Sequence, residues 1–177
     1  MSKRTDHFEK VPKDFYPTTD PKATESLIPF IRGKTYAEPC YGNGDLEDLL
    51  MDVATCKWRS DIRETVESSK VMDALHLTKD QLCGIDLIVT NPPFTRAILM
   101  PMLYHFITLK PTWLLLPADY MQNVYFGDAM VRCQKVVSIG RLKWIKDSKH
   151  TSVDNFCWYF WPQHSEQQET IFKGRTK

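Results

Sequence analysis

Asn91-Pro92-Pro93-Phe94 directly follows the apolar run Ile85-Asp86-Leu87-Ile88-Val89-Thr90. This places an amide, two rigid carbonyls and an aromatic face at the mouth of a sheet. Each proline fixes φ and lacks an N–H, and each drives the residue before it toward extended geometry. The turn is stiff and its carbonyls are free to accept. A planar ring bearing an exocyclic amine has two N–H groups to donate. The Asn91 side-chain oxygen and a backbone carbonyl can receive them, and Phe94 can stack on the ring. The same four residues also make an ordinary strand-ending turn with an aromatic plug. A second segment, Ala37-Glu38-Pro39-Cys40-Tyr41-Gly42-Asn43-Gly44-Asp45-Leu46, holds a Gly-x-Gly in an acidic turn. Glycines between a strand and a helix let backbone approach a ligand. There is no third glycine in dinucleotide spacing and no Gly-Lys-Ser/Thr, so neither a nicotinamide dinucleotide nor a nucleoside triphosphate is favoured. Glu38 would repel a pyrophosphate but suits a ligand carrying a cationic amine.

Glu38-Pro39-x-x-Gly42-x-Gly44 followed by Asn91-Pro92-Pro93-Phe94 resembles the paired motifs of class I S-adenosylmethionine-dependent methyltransferases that act on amino nitrogens. Among them it is similar to the adenine-N6 DNA methyltransferases, small phage enzymes included. The resemblance runs from about residue 15 to 161. It implies S-adenosylmethionine as cofactor, held by Glu38, Pro39, Cys40, Gly42 and Gly44 in the first motif. Asp61 lies 17 positions after Gly44, where an acid in a doubly wound sheet can accept both ribose hydroxyls, with Ile62 beside it. Asp61 also reads as a helix N-cap ahead of Ile62-Arg63-Glu64-Thr65. In the family an acid at the end of the third strand lies beside the cofactor adenine, which implicates Asp73 and Ala74; Asp73 equally suits the cap of a short helical turn. Asp14-Phe15-Tyr16-Pro17-Thr18-Thr19 resembles the family's N-terminal cofactor motif, with Tyr16 and Thr18 closing over the methionine end, or is a plain lead-in.

The resemblance implies a mechanism as well. Adenine N6 is a poor nucleophile, because its lone pair is delocalised into the ring. Hydrogen bonds to the Asn91 side chain and the Pro92 carbonyl, across the rigid Pro92-Pro93 turn, let positive charge develop on it. A duplex base must be flipped out to reach such a site, and Phe94 would replace its lost stacking. The family usually carries a separate target-recognition region. Here only 119–135 and 141–155 are candidates for one. Target recognition is therefore weak, or is supplied by a homodimer mate or recognition subunit, or the substrate is not duplex DNA. Asn-Pro-Pro-aromatic motifs also serve enzymes that methylate RNA amines or a protein glutamine amide, and a non-catalytic cofactor-binding subunit stays open.

Strands are predicted near 34–38, near 53–58 running on to the acid at 61, and near 85–90. One opening helix is predicted over Thr24–Ile31, and further helices near 45–52 and 95–109, the last interrupted by Pro101. Thr112–Pro117 reads as a fifth strand. Val136–Ile139 and Phe156–Trp161 are β-rich and read as a late antiparallel pair. The alternation predicts an α/β fold, a Rossmann-like, doubly wound, mostly parallel sheet with a C-terminal antiparallel strand pair. Residues 1–161 read as a single domain with an N-terminal lead-in, and 162–177 as a polar tail.

The 177 residues are 42% hydrophobic and 25% charged, ordinary for one globular core. The amino terminus carries no basic-then-apolar signal, and the most apolar stretch, Ala97–Leu109, is too short to span a bilayer, so the expectation is a cytoplasmic protein without a membrane partner. Five cysteines and five histidines are scattered, with no Cys-x-x-Cys or His-x-x-x-His pattern. Reduced thiols and no metal centre are expected. The net charge is +1, yet nine basic residues face four acidic ones from Met130 onward. Arg141, Lys143, Lys146 and Lys149 cluster there with Trp144 and His150 interleaved. Such a segment suits nucleic acid, DNA on the resemblance, and it equally suits a solvated hairpin tip.

Overall fold

The computed structural model describes residues 16–144, 149–163 and 169–175. Its centre is an eight-stranded sheet. The strands are β1 (Thr35–Glu38), β2 (Thr55–Asp61), β3 (Lys70–Val71), β4 (Leu87–Thr90), β5 (Thr112–Pro117), β6 (Lys135–Gly140), β7 (Phe156–Trp161) and β8 (Ile171–Lys173), in the order β3-β2-β1-β4-β5-β7-β6-β8. β7 inserts antiparallel between β5 and β6, and the other pairings are parallel. This is the expected Rossmann-like sheet with its late antiparallel pair. β4 and β5 are buried at every position, as central parallel strands covered on both faces must be.

Alternate residues of these strands feed two cores. Ile88, Leu114 and Leu116 pack with Leu99, Leu103 and Phe106 of α4 (Arg96–Leu109). Leu87, Val89, Trp113 and Leu115 pack on the opposite face with Leu27, Ile31 and Leu46. Those last residues come from the segments that hold α1 (Lys22–Glu25), α2 (Ile28–Ile31) and α3 (Asp45–Leu50). The fifth helix, α5, covers Gly127–Val131.

Two local expectations are corrected. The opening helix is two short helices, because Pro29 cannot donate to the Glu25 carbonyl and instead starts α2. Conversely, Pro101 does not interrupt α4, which runs unbroken for 14 residues. Pro101 is exposed and forfeits one backbone bond, while buried Leu99, Met102, Leu103 and Phe106 hold the helix down on either side of it. The third strand that the resemblance places before Asp73 is two exposed residues, β3, and one strand goes beyond the sequence expectation, β8 within the polar stretch after Pro162.

Candidate active site

β1, β2 and β4 all run parallel, so their carboxyl ends lie on one side of the sheet. A cavity of about 500 Å³ opens there. The chain leaves β1 through Glu38-Pro39-Cys40-Tyr41-Gly42, and four of these five make particular use of the geometry. Glu38 ends the strand at 2% exposure and lines the cavity, yet its Oε2 has no hydrogen-bond partner among the described residues. Burial pushes its carboxyl well above the usual range, and the nearby Glu47 and Asp45 carboxylates push the same way. Gly42 takes a left-handed φ of 55°, and its N–H donates to Asp61 Oδ2 at 2.9 Å. Cys40 lines the cavity, and its burial raises the thiol pKa. Tyr41 donates its hydroxyl to Glu47 Oε2 at 2.8 Å, and Glu47 also pairs with Arg59 of β2. The Arg59 guanidinium holds the Glu47 carboxyl below its ordinary value.

Asp61 closes β2 at 6% exposure. Besides the bond from Gly42, its Oδ1 accepts from the Arg63 N–H at 3.0 Å. No helix follows over 62–65, so the N-cap alternative is not realised, and the carboxylate instead ties the first turn to the second strand. Asp73 does cap a 3-10 turn over Ala74–His76, accepting from the Leu75 N–H at 2.9 Å, and it also lines the cavity. Ile62 and Ala74 line it as well.

The far wall comes from β4 and the lead-in. Asn91 donates through Nδ2 to the Tyr16 carbonyl at 2.8 Å and to Thr18 Oγ1 at 3.0 Å. Its Oδ1 is shielded from solvent and has no partner among the described residues. Tyr16, Thr18, Asn91 and Pro93 all line the cavity.

Three residues that the motifs implicate do not line it: Gly44, Pro92 and Phe94. Gly44 is the residue before α3 and serves the turn. Its φ is 88°, and a Cβ there would sit 2.7 Å from the Tyr41 hydroxyl. Pro92 is buried. The Phe94 ring, expected to offer a free face, is stacked by Tyr16 at 4.9 Å between centroids and packs against Phe156 at 5.7 Å. The aromatic residues that line the cavity are instead Tyr41 of the turn and Tyr16 of the lead-in, which lies over Phe94. The reason is tertiary: the lead-in folds back across 75 residues of sequence to reach Asn91.

Of the basic cluster, Arg141, Lys143 and Lys149 are exposed, and Lys146 lies outside the described residues. The lead-in and the segment after β6 are tied together. Lys22 Nζ donates to the Arg141 carbonyl at 3.2 Å, and the Lys143 N–H donates to Asp20 Oδ2 at 3.0 Å. Trp144 is not free for stacking over its whole surface, since it sits edge-on to Tyr16 at 5.5 Å and to Phe156 at 4.8 Å. Arg141 and Lys143 thus stand beside the Tyr16 wall of the cavity. No sequence motif announces the Tyr41–Glu47–Arg59 network or the Asn91–Thr18 bond. Ala97, Ile98 and Met102 of α4 also enter the lining, again without a motif to mark them. Among the described residues no group of three or more His, Cys, Asp or Glu side chains is placed to hold a metal ion, and no helix is long and apolar enough to cross a membrane.

No protein-family model matches the chain, and no curated protein sequence does. Solved structures do match. A protein of Pyrococcus horikoshii described as a candidate RNA methyltransferase is similar at 18% identity and a TM-score of 0.59, over 86% of this chain and 91% of that one. The methyltransferase subunit of a type I restriction-modification system from Streptococcus thermophilus gives 10% and 0.59, over 94% of this chain and 48% of that one. A dimethyladenosine transferase of Plasmodium falciparum gives 16% and 0.53, over 80% and 59%. The chain thus spans nearly the whole of the first and about half of the second. At these identities the likeness establishes the fold alone, a Rossmann-like sheet that this chain shares with these structures.

Proposed function

We propose that the chain is an S-adenosylmethionine-dependent methyltransferase acting on an exocyclic amino nitrogen, with adenine N6 in DNA as the favoured substrate. One observation carries the reading. A single cavity in this fold gathers two buried acceptors without a partner among the described residues, Glu38 Oε2 and Asn91 Oδ1, from the two motifs that imply this chemistry. Leaving a buried acceptor unsatisfied costs about 1–3 kcal/mol, and a ligand with N–H donors on both sides offsets it.

The residues present suit this cofactor. Glu38 is a buried acid on the cavity, and a methionyl ammonium beside it would make the carboxylate the favoured form. Asp61 still has lone pairs for ribose hydroxyls beyond its bonds to Gly42 and Arg63. Asp73 and Ala74 line the same cavity, where an acid can accept an adenine amine. When bound, S-adenosylmethionine supplies a methyl group already activated on a sulfonium. The chain's task is then alignment and charge stabilisation. Asn91 Oδ1 and the Pro92 carbonyl accept from the target amine and favour the charge that develops on its nitrogen. The Tyr16 ring gives the target a flat surface, and Phe94 backs it. Arg141, Lys143 and Lys149 are exposed and would neutralise phosphates of a nucleic-acid partner.

RNA is the second reading. It is favoured by the short segments after β5 and β6, which leave little to track a duplex groove, and by neighbours described as an RNA methyltransferase and a dimethyladenosine transferase. Mass spectrometry of nucleosides and peptides, after incubation with methyl-labelled cofactor and DNA, RNA or protein, tests the proposal. Label on N6-methyladenine in DNA is the expected result. Label on an RNA base selects the second reading, and no label on any substrate refutes the activity.

A further inference from the structure

Asn91 has an amide whose two ends are nearly the same shape and opposite in function. Only Oδ1 can receive an N–H from an amine. Nδ2 in its place would present hydrogens to hydrogens. What decides between them is what holds the other end. Nδ2 carries two hydrogens and meets two acceptors, the Tyr16 carbonyl at 2.8 Å and Thr18 Oγ1 at 3.0 Å. A carbonyl oxygen cannot donate, so an amide turned over would set oxygen against oxygen at Tyr16. Thr18 is 5% exposed, so its hydroxyl takes the second hydrogen where water does not substitute for it. With both hydrogens satisfied, Oδ1 is the end of the amide left without a partner among the described residues.

We propose that Thr18, acting with the Tyr16 backbone carbonyl, is a positioning residue that locks the Asn91 amide with its oxygen available to the target amine. The inference rests on the amino-methyltransferase reading. It gives the lead-in a task apart from the cofactor, although family resemblance alone would assign Thr18 to the methionine end. The connection spans 73 residues of sequence, so the lead-in is part of the acceptor machinery. Thr18→Val keeps the shape and removes the acceptor. One N–H of Asn91 is then unsatisfied, and the amide loses part of its orientational preference.

The test uses the full chain in three forms: wild type, Thr18→Val and Thr18→Ser. Single-turnover transfer to an adenine-containing oligonucleotide, at saturating S-adenosylmethionine, should fall about tenfold in Thr18→Val, the scale of one missing buried hydrogen bond. Thr18→Ser should recover most of it. The oligonucleotide KM and the Kd for S-adenosylhomocysteine should stay within about twofold of wild type in both variants, since Thr18 acts through Asn91. An independent readout needs no activity. In proton–nitrogen spectra of the free protein, the Asn91 side-chain amide pair, identified by its loss in Asn91→Asp, should be protected from exchange in wild type and Thr18→Ser. It should exchange fast in Thr18→Val. Wild-type rates in Thr18→Val, a defect confined to cofactor affinity, or failure of Ser to rescue would each overturn the proposal. If the wild-type chain methylates nothing, the activity reading fails alone, and amide protection unchanged by Thr18→Val overturns the clamp on its own evidence.

Discussion

Replacing Glu38 by Gln should stabilise the empty protein at neutral pH and weaken cofactor binding, two effects of opposite sign from one atom. Glu38 is buried to 2% exposure, and its carboxyl pKa is raised by burial first, then by Glu47 and Asp45, with Asp61 adding and Arg59 opposing. The unfolded chain therefore releases this proton near the ordinary Glu value, while the folded chain keeps it to higher pH. Between those two pKa values the folded state binds more protons, so stability falls as pH rises. The contribution is fully present below the unfolded pKa and is lost as pH climbs to the folded one. A single group can give a slope of at most about 1.4 kcal/mol per pH unit, and the Glu38→Gln substitution abolishes it. A bound ammonium reverses the balance by making the carboxylate the favoured form, so wild-type affinity for S-adenosylhomocysteine should rise with pH through the same window. Removing the charge should cost about 1.5–3 kcal/mol of binding, the range for a hydrogen bond to a charged group, or roughly 10- to 150-fold in Kd. The assay is a set of denaturant-unfolding series between pH 4.5 and 9 on wild type and Glu38→Gln, paired with calorimetric titration of S-adenosylhomocysteine. Taking the difference between the two proteins cancels histidines and other groups common to both. Equal pH slopes, or equal affinities, would refute the assignment of Glu38 as an uncompensated acceptor awaiting a cation.

Asn91→Ala should lower methyl transfer by about 10²–10³ in single-turnover assays, the usual cost of one preorganised group at a centre of developing charge, and leave S-adenosylhomocysteine affinity near wild type; near-wild-type turnover would contradict the amino-nitrogen reading. Replacing Arg141 and Lys143 together by Ala should weaken nucleic-acid binding and reduce its salt slope by about one for each phosphate no longer neutralised, which fluorescence anisotropy at several salt concentrations measures; an unchanged slope would make this face a solvated surface. Gly44→Ala should destabilise the fold by more than about 1 kcal/mol, whereas the same change at an ordinary φ is stabilising, because φ here is 88° and the Cβ would sit 2.7 Å from the Tyr41 hydroxyl. Equilibrium unfolding in urea checks it, and a neutral result would mean that the turn can rearrange.

What is legible in the sequence and what is hidden divide along a physical line. β4 and β5 are legible because a parallel strand covered on both faces must be apolar at every position, and Leu87–Thr90 and Thr112–Pro117 are buried throughout. The partnership of β6 with β7 is legible from β-rich composition, whereas the insertion of β7 between β5 and β6 is a matter of topology that composition does not encode. β8 escapes, and β3 is legible only through the resemblance, because short, exposed edge strands need no pattern: Lys70, Val71, Ile171, Phe172 and Lys173 bury no side chain against a core. α2 escapes for a different reason, since one proline overrides a helical stretch that otherwise reads as continuous.

The site divides in the same way. The positions of Glu38, Asp61 and Asn91 are legible because each stands where a strand ends, and one cavity gathers all three. Phe94 is legible as an aromatic but not as a covered one. Its partner Tyr16 arrives from the lead-in, and nothing in the turn itself announces that arrival. The same lead-in supplies both acceptors for Asn91 Nδ2. In the proposed reading the motif residues carry the chemistry, while the bonds that hold the Asn91 amide come from a segment more than 70 positions away whose own pattern is loose. That separation explains why Asn91-Pro92-Pro93-Phe94 suggests a reaction class from sequence alone, while the stacking of Tyr16 on Phe94 emerges only when the chain is folded.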